Sequence, residues 1–298
     1  MKIFVSLDLE GVAGIVDWQQ CVAAGDDYAV GRDLALGEVN AAIEGIIAAG
    51  KISSAGGTSP AGGPSSVGGT SPVSGTEILI NDAHSVMRNL PPSLLAGRAA
   101  YLSGRFKPLY MMQGLDSSFD AIVFLGYHSA AGTPGILSHT YNPKAIADVR
   151  LDGVSTGEAG LNALVAQHFG VPVAVITGDQ YVGPEAEPFC PGVTTIVVKE
   201  SISRYAAVSV HPETARELVR DGVREALAQR GGLVAPQIAM PATLEVRFTS
   251  PDMAEQATWI QGVRRLDHVT VALTGDEPLA LYQAFIALVY LTRSLVEN

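Results

Sequence analysis

The stretch FVSLDLEGVAGI (Phe4 to Ile15) places two carboxylates, Asp8 and Glu10, at the end of an apolar run, with Gly11 and Gly14 close behind. Residues two apart on a strand point to the same face, so this spacing crowds two negative charges together. Such a pair repels unless a cation or a shared proton lies between the carboxylates. A helix cap, a nucleophilic aspartate or a metal cradle would each give the pair a role. Side chains of related chemistry follow later apolar runs. LINDAH brings Asp82 and His84, VFLGYH brings His128, TPGILSH brings His139, and DGVSTGEAGLNA brings Glu158 and Asn162. Carboxylates beside imidazoles form a ligand set for zinc, manganese or iron. A carboxylate held between two cations would explain why Asp8 and Glu10 tolerate each other. His168, His211 and His268 stand apart from this group and read as structural.

The elements that must position these groups alternate between short apolar runs and helical patterns, the signature of an α/β fold. Strands are expected at Lys2–Leu7, Glu77–Asn81, Ala121–Leu125, Val171–Thr177, Thr194–Val198, Leu244–Phe248 and Val269–Leu273. Helices are expected at Asp33–Ala49, Ser155–Phe169, His211–Gln229 and Pro278–Leu295. The early runs are short and rich in β-branched or aromatic residues, as buried parallel strands are. The expected architecture is three-layer α/β/α with a mostly parallel sheet, to which the C-terminal part adds further strands and helices. Ligands in such sheets bind at the carboxyl ends of the strands, where the candidate residues fall. Residues 1–190 read as the metal-bearing region. Residues 191–298 read as a second α/β region, intertwined with the first or engaged in oligomerisation. Within the first region, Ser53 to Gly75 contains only Ser, Ala, Gly, Thr, Pro and Val, and its SSAGGTSP recurs as SSVGGTSP. That composition reads as a flexible surface loop.

The 298 residues are 47% hydrophobic and 16% charged, against about 25% charged in ordinary soluble domains. The shortage of charge, with a mean hydropathy of +0.25, suggests surface buried in a homo-oligomer. The net charge of −11 comes without a basic stripe, which argues against a nucleic-acid partner. Two cysteines, Cys21 and Cys190, make no disulfide framework and suit a reducing cytoplasm. Asp8 and Glu10 interrupt the N-terminal apolar run, so it does not read as a secretory signal. The apolar run Leu279–Leu291 is short for a membrane span and reads as a buried helix, so no membrane partner is expected.

SLDLEG (Ser6 to Gly11) resembles the Ser-x-Asp-x-Glu-Gly signature of the DppA-type D-aminopeptidases, a family of dinuclear zinc exopeptidases. The likeness continues in order through NDAHS (Asn81 to Ser85), LDSSFDAIVFLGYHS (Leu115 to Ser129), TPGILSHT (Thr133 to Thr140) and GEAGLNA (Gly157 to Ala163). It extends to VPVAVITGD (Val171 to Asp179) and VTTIVVKESISR (Val193 to Arg204), spanning nearly the whole chain. The resemblance implies two zinc ions per subunit on Asp8, Glu10, His84, His128 and Glu158, with Asp8 as the bridge. Manganese, iron or cobalt would be acceptable substitutes. It implies that His139 is the catalytic histidine, acting as base, nucleophile or oxyanion stabiliser. The substrates would be short peptides or amides with an N-terminal D-residue, and the assembly a ring-shaped decamer. Asp82 and Asn162 are candidates for substrate contact or for support of the ligands. The departure from the family pattern is the Ser53–Gly75 segment, which looks inserted. Two other readings compete. LDLEGV, with TGDQY (Thr177 to Tyr181), resembles the motifs of haloacid-dehalogenase-like magnesium phosphatases, in which Asp8 would be the nucleophile. Alternatively, the chain is a non-catalytic, metal-stabilised ring or binding protein.

Overall fold

The computed structural model describes residues 1–54, 75–97 and 99–296. Among the described residues twelve strands run in chain order: β1 Lys2–Leu7, β2 Glu77–Asp82, β3 Ala100–Leu102, β4 Ala121–Leu125, β5 Ile146–Leu151, β6 Val154–Ser155, β7 Val173–Asp179, β8 Thr194–Ser203, β9 Ala206–Ser209, β10 Ala242–Phe248, β11 Arg264–Arg265 and β12 Thr270–Gly275. The α-helices are α1 Tyr28–Ser54, α2 Glu158–Phe169, α3 Val182–Ala186, α4 Pro212–Ala228, α5 Pro251–Ala257 and α6 Pro278–Thr292.

Seven strands form the main sheet in the order β3-β2-β1-β4-β7-β8-β9, parallel except for the edge strand β9. Alternation along β1 sends Ile3, Val5 and Leu7 into one core and Phe4 into another, so both faces of the sheet are covered. The first core is closed by Val39, Ile43 and Ile46 of α1 with Val219 and Val223 of α4. The second is closed by Leu161, Leu164 and Val165 of α2, and it continues into Leu244 and Val246 of β10 and Phe285 of α6. This is the three-layer arrangement expected from the sequence.

Beyond α2 lies a five-stranded antiparallel sheet, β11-β12-β10-β5-β6. Strand β5 pairs with β10, while β8 and β9 extend the main sheet, so strands from both sides of residue 190 share each sheet. Residues 55–74 of the small-residue segment lie outside the described residues; Ser53 and Ser54 end α1. By length and composition, Pro278–Leu295 is apolar enough to cross a membrane, because the turn after α6 extends the run to 18 residues. Its Leu281, Tyr282, Phe285, Leu288 and Val289 are nevertheless buried in the second core.

What positions the site is the order β2-β1-β4. The chain leaves β1 for β2 and β3 on one side, then crosses to β4 on the other. The crevice at the carboxyl end of β1 is therefore a topological switch point, where open α/β sheets bind ligands.

Candidate metal centre

Strand β1 ends at Leu7, so Asp8 and Glu10 stand in the loop just beyond it. Two backbone bonds anchor that loop to the end of β4: Asp8 N–H donates to Leu125 O at 2.8 Å, and Gly11 N–H to Gly126 O at 2.8 Å. A Cβ at Gly11 would lie 1.9 Å from the Tyr127 carbonyl, and Gly14 has φ +84°, so both glycines let the loop turn tightly. From the far side, the buried Lys199 of β8 donates to the carbonyls of Glu10 (2.5 Å), Val12 (2.8 Å) and Ile15 (2.7 Å). All three ammonium hydrogens are thus committed to this loop. Lys199→Met would orphan the buried carbonyls of Glu10 and Ile15, at about 1–3 kcal/mol each, and leave the Val12 carbonyl only its bond from Ile15 N–H. We expect a lower melting temperature and less bound metal, checked by thermal unfolding and metal analysis of the same preparation; unchanged metal content would show that the loop holds its shape without the lysine.

The ligand candidates arrive from β2, β4 and α2. His84 Nδ1 lies 2.9 Å from Asp8 Oδ1 and 3.0 Å from Glu10 Oε2. His128 Nε2 lies 3.2 Å from Asp8 Oδ2 and 3.7 Å from Glu158 Oε2. The opposite nitrogen of each ring faces a backbone carbonyl: His84 Nε2 faces Cys21 O and His128 Nδ1 faces Ser129 O, each at 2.9 Å. Donating there fixes the neutral tautomer that aims the lone pair at the carboxylates, which is how ligating histidines are oriented. Two three-residue clusters result, Asp8–Glu10–His84 and Asp8–His128–Glu158, each with its donor atoms within 4.8 Å of one another. Asp8 belongs to both.

The polar atoms fit a cation. Asp8 Oδ2, both Glu10 carboxylate oxygens and His128 Nε2 are buried without a hydrogen-bond partner, a costly arrangement unless something positive joins them. Without an ion, the groups compensate through protons. Burial alone would raise Asp8, but the nearby His128 and His84, the latter also hydrogen-bonded to it, hold its carboxyl well below the usual range. Burial opposes charge on His84 and His128, yet the surrounding carboxylates outweigh it, raising His84 well above the ordinary value and His128 to about 10. Burial pushes Glu158 up to about 8.

Binding a cation must expel these protons. Calorimetry in buffers of different ionisation heat should therefore show roughly two to three protons released per subunit at pH 7, with affinity falling as pH drops. A proton-neutral titration would mean that these residues are not the ligands.

His139 approaches from the loop after β4. Its ring stacks on His128 at 4.1 Å between centroids, 9° from parallel, and meets Trp18 edge-on at 5.1 Å. Nδ1 faces Leu137 O at 2.9 Å, which leaves Nε2 as the free lone pair, 3.9 Å from Glu158 Oε1. Burial, reinforced by the charge on His128, lowers its pKa to about 3, so the ring is neutral. His139 also forms a third close cluster with Glu10 and His128.

The two auxiliary candidates behave differently from the ligands. Asp82 is turned into its own loop, accepting from Asn89 N, Asn89 Nδ2 and Leu90 N at 2.5, 2.7 and 2.9 Å. Asn89 in turn donates to the His84 carbonyl at 2.9 Å, so Asp82 shapes the loop that carries His84. Asn162 lies behind the site, donating to Tyr127 Oη at 2.9 Å and accepting from Tyr141 Oη at 3.0 Å. Asp179 of TGDQY accepts from the backbone N–H groups of Ile136 and Tyr181. Two residues with site roles carried no signal in the sequence reading: Lys199, and Trp18 against His139. The site opens into a cavity of about 700 Å³, whose lining includes Asp8, Glu10, Trp18, His84, Tyr110, His139 and Glu158.

The family model described as D-aminopeptidase (peptidase M55) matches residues 1–287. The chain belongs to this family. A D-aminopeptidase of Bacillus subtilis (strain 168) is 36% identical over 216 residues, covering 71% of this chain and 77% of that protein. A solved structure, described as the Zn-dependent D-aminopeptidase DppA from Bacillus subtilis, a self-compartmentalizing protease, superposes with a TM-score of 0.85 at 31% identity. It covers 98% of this chain and 97% of its own. The chain is accordingly an enzyme, a peptidase, and a cluster of residues that could hold a metal lies at the switch point of its sheet. The phosphatase reading fails on the same geometry: three histidines and Glu158 surround the Asp8–Glu10 pair, and Asp179 is spent on backbone amides.

Proposed function

We propose that this enzyme is a zinc-dependent aminopeptidase with two zinc ions per subunit, releasing N-terminal D-residues from short peptides or amides. The observation that carries this reading is Asp8, whose two oxygens face different histidines and so belong to two ligand clusters at once. Zinc in particular is supported by the likeness to the Zn-dependent DppA structure. In this reading Glu10 and His84 complete one cluster, and His128 and Glu158 the other.

Two such ions supply Lewis acidity, lowering the pKa of the attacking water and polarising the scissile carbonyl. The protein does the rest. The closed end of the cavity, where these ligands sit, would receive the substrate's free amino group, which selects the end of a peptide over its middle. His139, neutral and with Nε2 free, is placed to take a proton from the nucleophile and return it to the leaving amine. Stacking on His128 and an edge-on contact with Trp18 fix the ring for that transfer. The D-preference rests on family membership.

Assembly into a ring of about ten copies accords with the low surface charge and with apolar side chains left exposed on the single chain, such as Trp259 at 72% and Val208 at 62%. A reducing, cytoplasmic setting suits the two buried free thiols, Cys21 and Cys190. The deciding experiment is a panel of D- and L-aminoacyl amides and dipeptides assayed with and without chelator. Chelator-sensitive, D-selective release of the first residue is expected. Turnover that survives the chelator would overturn the reading.

A further inference from the structure

The cavity over the proposed metal ligands has two chemically distinct ends. Its acids, Asp8, Glu10 and Glu158, are buried at the closed end. Three cations, Lys144, Arg204 and Arg293, line the same cavity but are exposed, so they mark its open end. None of the three has a carboxylate partner among the described residues. With its acids engaged as ligands, the closed end would receive a free amino group, while the basic rim suits a carboxylate. A peptide of two residues carries both groups close together, spanning about 7 Å when extended. A long peptide offers the amino group alone.

Arg204 stands out among the three because it also lines a second cavity of about 460 Å³ that meets the first at His139. Its backbone is fixed. Arg204 and Tyr205 form the two-residue turn of the β8–β9 hairpin, closed by the Ser203–Ala206 pair. The Arg204 carbonyl accepts from Leu137 N–H at 2.9 Å, two residues before His139. The guanidinium packs at 5.6 Å over the exposed Tyr205 ring, with no other group claiming its hydrogen-bond donors. A planar fork of donors on a rigid turn can grip a carboxylate through two parallel bonds, which an ammonium cannot match.

We propose that Arg204 binds the C-terminal carboxylate of a two-residue substrate, making it the length-determining residue of the enzyme. This rests on the aminopeptidase reading and adds a subsite to it. Arg204 is a specificity residue and takes no part in bond cleavage.

The test compares one D,D-dipeptide with the same dipeptide carrying a C-terminal carboxamide, on zinc-loaded wild type, Arg204→Ala, Arg204→Lys, Lys144→Ala and Arg293→Ala. Wild type should prefer the free acid. In Arg204→Ala, kcat/KM for the acid should fall by about tenfold or more, mostly through KM, while the carboxamide changes by less than about twofold. Arg204→Lys should recover part of the loss. Equal loss on both substrates, no loss on either, or an acid-selective loss in Lys144→Ala or Arg293→Ala instead would overturn the proposal. If wild type hydrolyses neither peptide, the aminopeptidase reading falls and this one with it. Turnover of both without acid preference removes the Arg204 subsite alone.

Discussion

Asp8→Asn is expected to cost roughly 10³-fold or more in kcat/KM, about 4 kcal/mol at 1.36 kcal/mol per decade, and to strip both metal ions. Asparagine keeps the shape of the side chain but offers only one weakly basic oxygen, whereas both Asp8 oxygens are engaged, one toward His84 and one toward His128. Removing its charge also unbalances the centre, since His84 and His128 are raised by the surrounding carboxylates. Glu10→Gln is the informative control. Glu10 faces His84 at 3.0 Å and is absent from the Asp8–His128–Glu158 cluster, so that cluster should keep its ion. Metal analysis reads the difference: loss of all metal in Asp8→Asn against loss of part in Glu10→Gln. Equal, partial losses would mean that Asp8 serves one ion and that the two clusters are independent.

His139→Ala is expected to lower kcat by roughly 10²–10⁴-fold, the usual worth of a positioned proton-transfer group, while metal content stays at the wild-type level. The geometry separates His139 from the ligands. Its Nε2 stands 3.9 Å from the nearest Glu158 oxygen, farther than any His84 or His128 contact in the two Asp8 clusters. It is also the one histidine of the group lowered below its ordinary pKa, so its ring is neutral and Nε2 carries a lone pair. The Glu10–His128–His139 cluster supplies the competing possibility of ligation. Metal measured on the same preparation used for kinetics decides between the two: turnover lost with metal retained supports the proton-transfer role, and parallel loss would make His139 a ligand.

Much of this arrangement was legible in the sequence because parallel strands turn one-dimensional order into convergence. Once β1, β2 and β4 are read as parallel, whatever follows each strand must meet at one edge, and Asp8, Glu10, His84 and His128 do so. His139 and Glu158 lie farther along the chain; the same run of acids and histidines made them candidates, and the family resemblance supplied their separate roles. What stayed hidden depends on contacts distant in sequence. Lys199 sits in an ordinary strand, and its role comes from carbonyls almost 190 residues earlier. The first turn of α1 was expected to begin at Asp33 but begins at Tyr28. There Tyr28 Oη and Arg32 Nε donate to Asn89 in the loop after β2, support that no local pattern announces.

Asp152 and Gly153, at φ +49° and +79°, form the two-residue turn between β5 and β6. Asp-Gly beside an alternating run is a strong hairpin signal, but β6 is only two residues long and the motif drew attention to Glu158 instead. That hairpin is the start of the second sheet, so overlooking it concealed how residues on the two sides of position 190 interleave.

The central claim is that a single aspartate joins two metal sites. Anomalous diffraction at the zinc edge from crystals of the zinc-loaded protein tests it most directly. The account predicts two peaks per subunit flanking Asp8, one on the Glu10–His84 side and one on the His128–Glu158 side. A single peak, or two peaks of which only one touches Asp8, would contradict it.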